Sequence, residues 1–143
     1  MSQYVVDASV AAKWFVPEAY TGEAQRLLDN EDDLLAPELI LHEIANVMLK
    51  RFRRDEMSEE RARGAVAMLP FLVRSVSSAT VSRFSMDIAV RYHRSSYDAV
   101  YVALAHEHGC ALVTADRKLY RALSATDLAA TMLWIEDVPV ARQ

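Results

Sequence analysis

The chain has 143 residues, 52% of them hydrophobic and 25% charged, close to the averages of soluble globular proteins. It is therefore expected to form one domain, residues 1–143, that buries a core without disulfides or structural metal. Its lone cysteine, Cys110, excludes an internal disulfide, and no run approaches the ~20 apolar residues that span a bilayer. With 20 acidic against 16 basic side chains the net charge is −4, which excludes a protein that grips nucleic acid by bulk charge alone. The opening MSQYVVDASV has neither the basic segment nor the apolar run of a signal peptide, so a soluble, cytoplasmic chain is expected.

Gln3 to Val6 is a short β-rich run ending at Asp7, and helix formers follow from Ala8 to Phe15 until Pro17 stops them. Thr21 to Asn30 predicts a helix with Ala24, Leu27 and Leu28 on its apolar side. Asp33 to Ala36 predicts a second strand, and Pro37 suits the first turn of a helix running from Glu38 to about Arg54. On that helix Ile40, Leu41, Ile44, Ala45, Val47, Met48 and Phe52 share a sector roughly 160° wide. Glu43, Asn46 and Lys50 form a narrow polar strip outside it, at spacings of three and four. Ser58 starts a helix reaching about Leu69, before Pro70, and Leu72 to Val76 predicts a third strand. Val81 to His93 and Tyr97 to His108 predict two further helices, with Gly109 as a stop. Ala111 to Thr114 reads as a buried strand, Asp116 opens a short helix through Leu123, and Thr131 to Ile135 is the last strand. Short strands alternating with helices predict parallel βαβ units covered on both faces.

Four acids stand out against that framework. Ligands of open parallel sheets collect beyond the carboxyl ends of the strands. Asp7 ends the first strand and Asp116 lies just past the strand ending at Thr114, so both are expected at one rim. Asp98 stands near a helix start and Glu43 inside a helix, so folding decides whether they join. Carboxylates without His or Cys suit hard cations such as Mg²⁺ or Mn²⁺. A cation held there would orient a water for attack on phosphorus without any nucleophilic side chain. Each acid also has a plainer reading: Asp7, Asp98 and Asp116 suit helix caps, and Glu43 suits a solvated helix face. Ser9 and Thr114 likewise suit local capping. Removing the four acids leaves 16 acidic and 16 basic side chains, so overall charge does not exclude RNA.

The segments YVVDASVAAKWF, LHEIANVM, YDAVYVALA and ALVTADRKL together resemble the PIN domain, and more specifically the toxin ribonucleases of VapC type from toxin–antitoxin pairs. They occur in the family's order over nearly the whole chain. The resemblance implies a three-layer α/β/α sandwich around a parallel sheet of about five strands. It implies that Asp7, Glu43, Asp98 and Asp116 surround one or two Mg²⁺ or Mn²⁺ ions, with Asp116 binding directly or through water. Ser9 and Thr114 then support the acids by hydrogen bonds. Our own reading adds Asn46, one turn beyond Glu43, as a supporting residue. The resemblance further implies RNA as substrate, a homodimer, and an antitoxin whose tail lies in an apolar groove and presents a basic residue to the acids. The apolar sector of the Glu38–Arg54 helix, with Trp14 and Phe15, is expected to line that groove or else to be core.

Other features are set aside. His106 and His108 point to different sides of their helix, His42 lies about 100° around from Glu43, and Cys110 reads as a buried apolar filler. The KRFRR run reads as a solvated helix end or as an RNA phosphate track. A phosphoaspartate receiver needs an acidic pair at the first strand, and an aspartate-nucleophile phosphatase needs a second Asp where Ser9 stands. A binding-only PIN-like module acting through its apolar groove is the alternative from another class.

Overall fold

The computed structural model describes residues 2–141. Strand β1 (Gln3–Val6) runs into a short helix α1 (Ala8–Ala11), which tightens into a 3₁₀ turn at Ala12–Trp14. Helix α2 (Thr21–Asp29), strand β2 (Asp33–Pro37) and helices α3 (Leu39–Arg53) and α4 (Glu59–Leu72) follow. The second half comprises β3 (Arg74–Val76), α5 (Ser82–Tyr92), α6 (Ser96–Glu107), β4 (Ala111–Thr114), α7 (Arg117–Ser124) and β5 (Met132–Trp134).

All five strands are parallel, in the order β3-β2-β1-β4-β5. The chain lays β1, β2 and β3 outward in one direction, then crosses back to set β4 on the other side of β1. The β1/β4 seam is therefore the topological switch point, where the carboxyl ends of such sheets open a crevice. Val6 pairs with Val113, so the next residues, Asp7 and Thr114, face each other at its mouth.

Val5, Val6, Leu112 and Val113 are each 0% exposed. Successive strand residues point to opposite sheet faces, so helices must cover both, as the expected sandwich requires. Each such aliphatic side chain contributes roughly 1.5–3 kcal/mol by leaving water. Helix α6 is the most enclosed, with Ala99 and every residue from Tyr101 to Ala105 buried. It ends in a Schellman cap: Gly109 sits at φ +63°, its N–H donates to His106 O at 3.1 Å, and Cys110 N donates to Ala105 O at 3.0 Å. At its other end Ser95 Oγ accepts from Asp98 N, as Ser58 Oγ accepts from Arg61 N at the start of α4.

Several expectations need correction. Pro37 ends β2 rather than opening α3; it lies beyond Leu35, the last residue of β2 paired with β1, so its missing N–H costs that ladder nothing. Pro70 lies inside α4, not after it. Its absent N–H would have met Val66 O near the helix end, where Val66 is exposed and water can serve. Helix α4 therefore consumes Leu72, Val73 caps it, and β3 starts only at Arg74. Cys110 is half-buried rather than buried.

Helices α3 and α4 pack on each other but leave an apolar groove of about 450 Å³ between Met48, Leu49, Phe52, Ala62 and Val66, with Glu59 and Arg63 at its rim. The α3 sector thus divides: Ile40 and Ile44 are core, Met48 is buried at the groove floor, and Ala45 and Phe52 face the groove, where Leu49 from outside the sector joins them. Trp14 and Phe15 do not line it. The Trp14 indole instead donates to Ala24 O at 2.8 Å, turned toward α2.

Candidate active site

Asp7 occupies the junction of β1 and α1 and is only 6% exposed. Its Oδ1 accepts from Ser9 Oγ at 2.5 Å and from Val10 N at 3.3 Å, the latter capping α1. Its Oδ2 accepts from Thr114 Oγ1 at 2.5 Å. Each hydroxyl spends its one proton on Asp7 and turns a lone pair the other way. Ser9 Oγ accepts from Ala115 N at 2.9 Å and Thr114 Oγ1 from Asp116 N at 3.0 Å. Asp7, Ser9 and Thr114 thereby stitch the two strand ends together. Asp116 Oδ1 accepts from Leu119 N at 3.2 Å, capping α7. The capping reading of Asp7 and Asp116 is therefore realised, and both lie at the carboxyl rim of the sheet.

Glu43 and Asp98 approach from the helices, and both are half-buried. Glu43 Oε1 accepts from Tyr101 Oη at 2.5 Å. Asp98 does not cap α6, because Ser95 does so; its backbone N–H donates to Ser95 Oγ at 3.0 Å and leaves the carboxylate for the site.

The electrostatics show that the four acids sense one another. Burial pushes the Asp7 carboxyl up to about 6, overcoming its hydrogen bonds to Ser9, Thr114 and Val10, with the charge of Asp116 adding to the rise. Burial raises Asp98, and Asp116 raises it further, against the pull of Arg94. Burial raises Glu43 as well, opposed by the Tyr101 hydrogen bond and aided by Asp98. The phenol of Tyr101 is raised by burial first, then by its bond to Glu43 and by the charges of Glu43, Asp7 and Asp98. Like charges gathered in a shielded crevice disfavour ionisation. Among the described residues none of the four acids forms a salt bridge.

That unbalanced negative charge, carried by hard oxygen donors, fits a divalent cation of the Mg²⁺ class. The side chains are not arranged as a closed ligand cage. Among the described residues no three His, Cys, Asp or Glu side chains converge tightly enough to hold an ion. Hydroxyls engage both oxygens of Asp7, and Tyr101 engages one of Glu43. Each of those oxygens keeps a further lone pair, so the hydroxyls orient the carboxylates without using up their capacity to accept.

Asn46 is exposed and, among the described residues, makes no side-chain hydrogen bond to any of the acids. The residue that sequence reasoning missed is Tyr101, 3% exposed and bonded to Glu43. The sequence offers only its spacing, three positions after Asp98 on the same helix face, which packing explains equally well.

A five-stranded parallel sheet covered by helices, with Asp7 and Thr114 at its switch point, places the chain in the α/β sandwich class. A family model for the PIN domain matches residues 4–123, and the chain belongs to the PIN domain family. It is 34% identical to Ribonuclease VapC3 of Pyrobaculum aerophilum, over 80% of this chain and 90% of that one. It is 30% identical to Ribonuclease VapC1 of Mycobacterium tuberculosis, over 83% and 90%. Among solved structures, PAE2754 of Pyrobaculum aerophilum superposes with a TM-score of 0.71 at 22% identity, covering 94% of this chain and 85% of that one. The sarcin–ricin loop cleaving toxin VapC20 of Mycobacterium tuberculosis superposes with a TM-score of 0.63 at 23% identity, covering 83% and 94%. These two likenesses establish the fold.

Proposed function

We propose that this chain is a VapC-type endoribonuclease, the toxin of a type II toxin–antitoxin pair. It hydrolyses RNA phosphodiester bonds with one or two Mg²⁺ or Mn²⁺ ions held by Asp7, Glu43, Asp98 and Asp116. What supports this reading is that the four carboxylates come from four separate segments, that Asp116 raises Asp7 and Asp98 while Asp98 raises Glu43, and that none has a salt-bridge partner among the described residues. When bound, such a cation orients and acidifies a water for in-line attack on phosphorus and offsets charge on the entering and leaving oxygens. The protein's part is positioning. Ser9 and Thr114 hold Asp7 from two sides, and Tyr101 holds one oxygen of Glu43 so that the other is available. Ser9 donates to Asp7 and accepts from Ala115 N, so its hydroxyl ties the first acid to the end of β4.

The α3–α4 groove supplies the apolar seat for the antitoxin tail, and a homodimer in the cytoplasm is the expected assembly. Among the described residues no helix is long and apolar enough to cross a membrane. A solved relative in fold, VapBC2 of Rickettsia felis, is a complex bound to a promoter DNA fragment, with a TM-score of 0.66 and 12% identity.

The decisive experiment incubates the purified chain with total cellular RNA in Mg²⁺ or Mn²⁺. Cleavage that stops with a chelator and in Asp7→Asn supports the reading. Undiminished cleavage by Asp7→Asn overturns the site. Absence of cleavage, with the groove still capturing an antitoxin, would indicate the binding-only module.

A further inference from the structure

Trp134 ends β5 and pairs with Thr114, so it stands one strand spacing, ~4.8 Å, from the residue that holds Asp7. Three side chains converge on its indole. Tyr20 meets it edge-on at 5.6 Å, Tyr120 lies tilted at 5.7 Å, and the Arg117 guanidinium lies over it at 5.0 Å. Arg117 follows Asp116 directly and is exposed. It donates to Tyr20 Oη at 3.2 Å and makes no salt bridge among the described residues. A cation is thus fixed beside a set of acids by an aromatic face and a neutral hydroxyl.

The mounting of Tyr20 is itself unusual. Its backbone lies at φ 67°, ψ 18°, a left-handed conformation that a bulky side chain adopts only when its surroundings impose it. The imposing contacts are visible. Thr21 Oγ1 donates to Glu18 O at 2.8 Å and accepts from Glu18 N at 2.9 Å. The Glu18 carboxylate is gripped by Lys13 at 2.9 Å and Arg51 at 3.1 Å. This turn delivers the Tyr20 ring to Trp134 and its hydroxyl to Arg117.

We propose that Arg117, mounted on Tyr20 and Trp134, is a phosphate subsite that holds a nucleotide flanking the scissile bond of single-stranded RNA. The inference rests on the ribonuclease reading above. A guanidinium offers five N–H donors in a rigid fork. One is used by Tyr20, which leaves others for paired bonds to phosphate oxygens. An acidic crevice in a chain of net charge −4 needs such a local cation at its border to draw in a polyanion.

The test measures binding of a short fluorescein-labelled single-stranded RNA to the Asp7→Asn chain by anisotropy, across a range of salt. Arg117→Ala is expected to weaken binding about tenfold and to reduce the slope of log affinity against log salt by about 0.7, the loss of one phosphate contact. Arg117→Lys should restore the slope but not the full affinity, because the planar stack is gone. In the active chain Arg117→Ala should raise KM with little change in kcat. If the parent chain cleaves RNA while Arg117→Ala binds with unchanged affinity and slope, the subsite is overturned and the ribonuclease reading stands. If Arg117→Lys matches the parent in affinity, the aromatic mount has no role. An unaltered chain that neither binds nor cuts RNA overturns both.

Discussion

The carboxylate of Asp7 closes β1, caps α1 and reaches Thr114 on β4, all from a position shielded enough to resist ionisation. Its pKa of about 6, against an ordinary 3.8, has a definite sign for stability. A carboxyl whose folded pKa exceeds its unfolded value favours the folded state while protonated. That contribution is complete below about pH 4 and is lost as pH rises through about 6, amounting to on the order of 3 kcal/mol. The metal-free chain should therefore lose urea resistance between pH 4 and pH 7, and Asp7→Asn should flatten that part of the profile. Protons and cation compete for the same oxygens, so Mg²⁺ affinity measured by calorimetry should fall as pH drops below about 6. Tyr101→Phe removes only the hydroxyl that holds Glu43. It should keep the fold by circular dichroism and weaken metal affinity or cleavage roughly 10–100-fold, as loss of a ligand-orienting hydrogen bond does. Asp7 and Asp116 could be placed at one rim because each follows a strand end, whereas Glu43 and Asp98 entered the proposed set only through what the family resemblance implied. Tyr101 was not legible, since a tyrosine in an apolar helix reads as packing until the group opposite its hydroxyl is known.

At the scale of elements, punctuation was easier to read than extent. Gly109 was expected to stop α6, and its φ of +63° with open space around its Cβ position makes it a clean test. Gly109→Ala should destabilise the chain by roughly 1 kcal/mol in urea titration, through backbone conformation alone. The N-cap at Ser58 was expected too. Prolines misled in both directions: Pro70 reads as a terminator yet rides in the last turn of α4, and Pro37 reads as a helix opener yet finishes a strand. Whether a missing N–H matters depends on the partner it would have had, which sequence does not state. The Lys50–Arg54 run was left between a solvated end and an RNA track. Arg51 is now engaged by Glu18 and Glu56, and Arg53 lies ten residues, ~15 Å of helix, from Glu43.

Across the whole molecule, alternation of strands and helices predicted the layered α/β class, but not the strand order. That order depends on where the crossover after β3 returns, and no local pattern encodes it. The order is what makes β1 and β4 neighbours and hence makes the site. None of the four acids lines the groove between α3 and α4, so the two proposed functions should separate. Val66→Glu, at a groove position 37% exposed, should leave RNA cleavage by the free chain within about twofold. It should weaken antitoxin binding more than about tenfold by placing a charge in an apolar seat.

The seam between β1 and β4 joins residues more than a hundred positions apart. Ribosomes deliver polypeptides N-terminus first, so a growing chain displays Asp7 and Glu43 while Thr114 and Asp116 are still untranslated. The rim where β1 meets β4 is therefore completed only near the end of the chain's own synthesis.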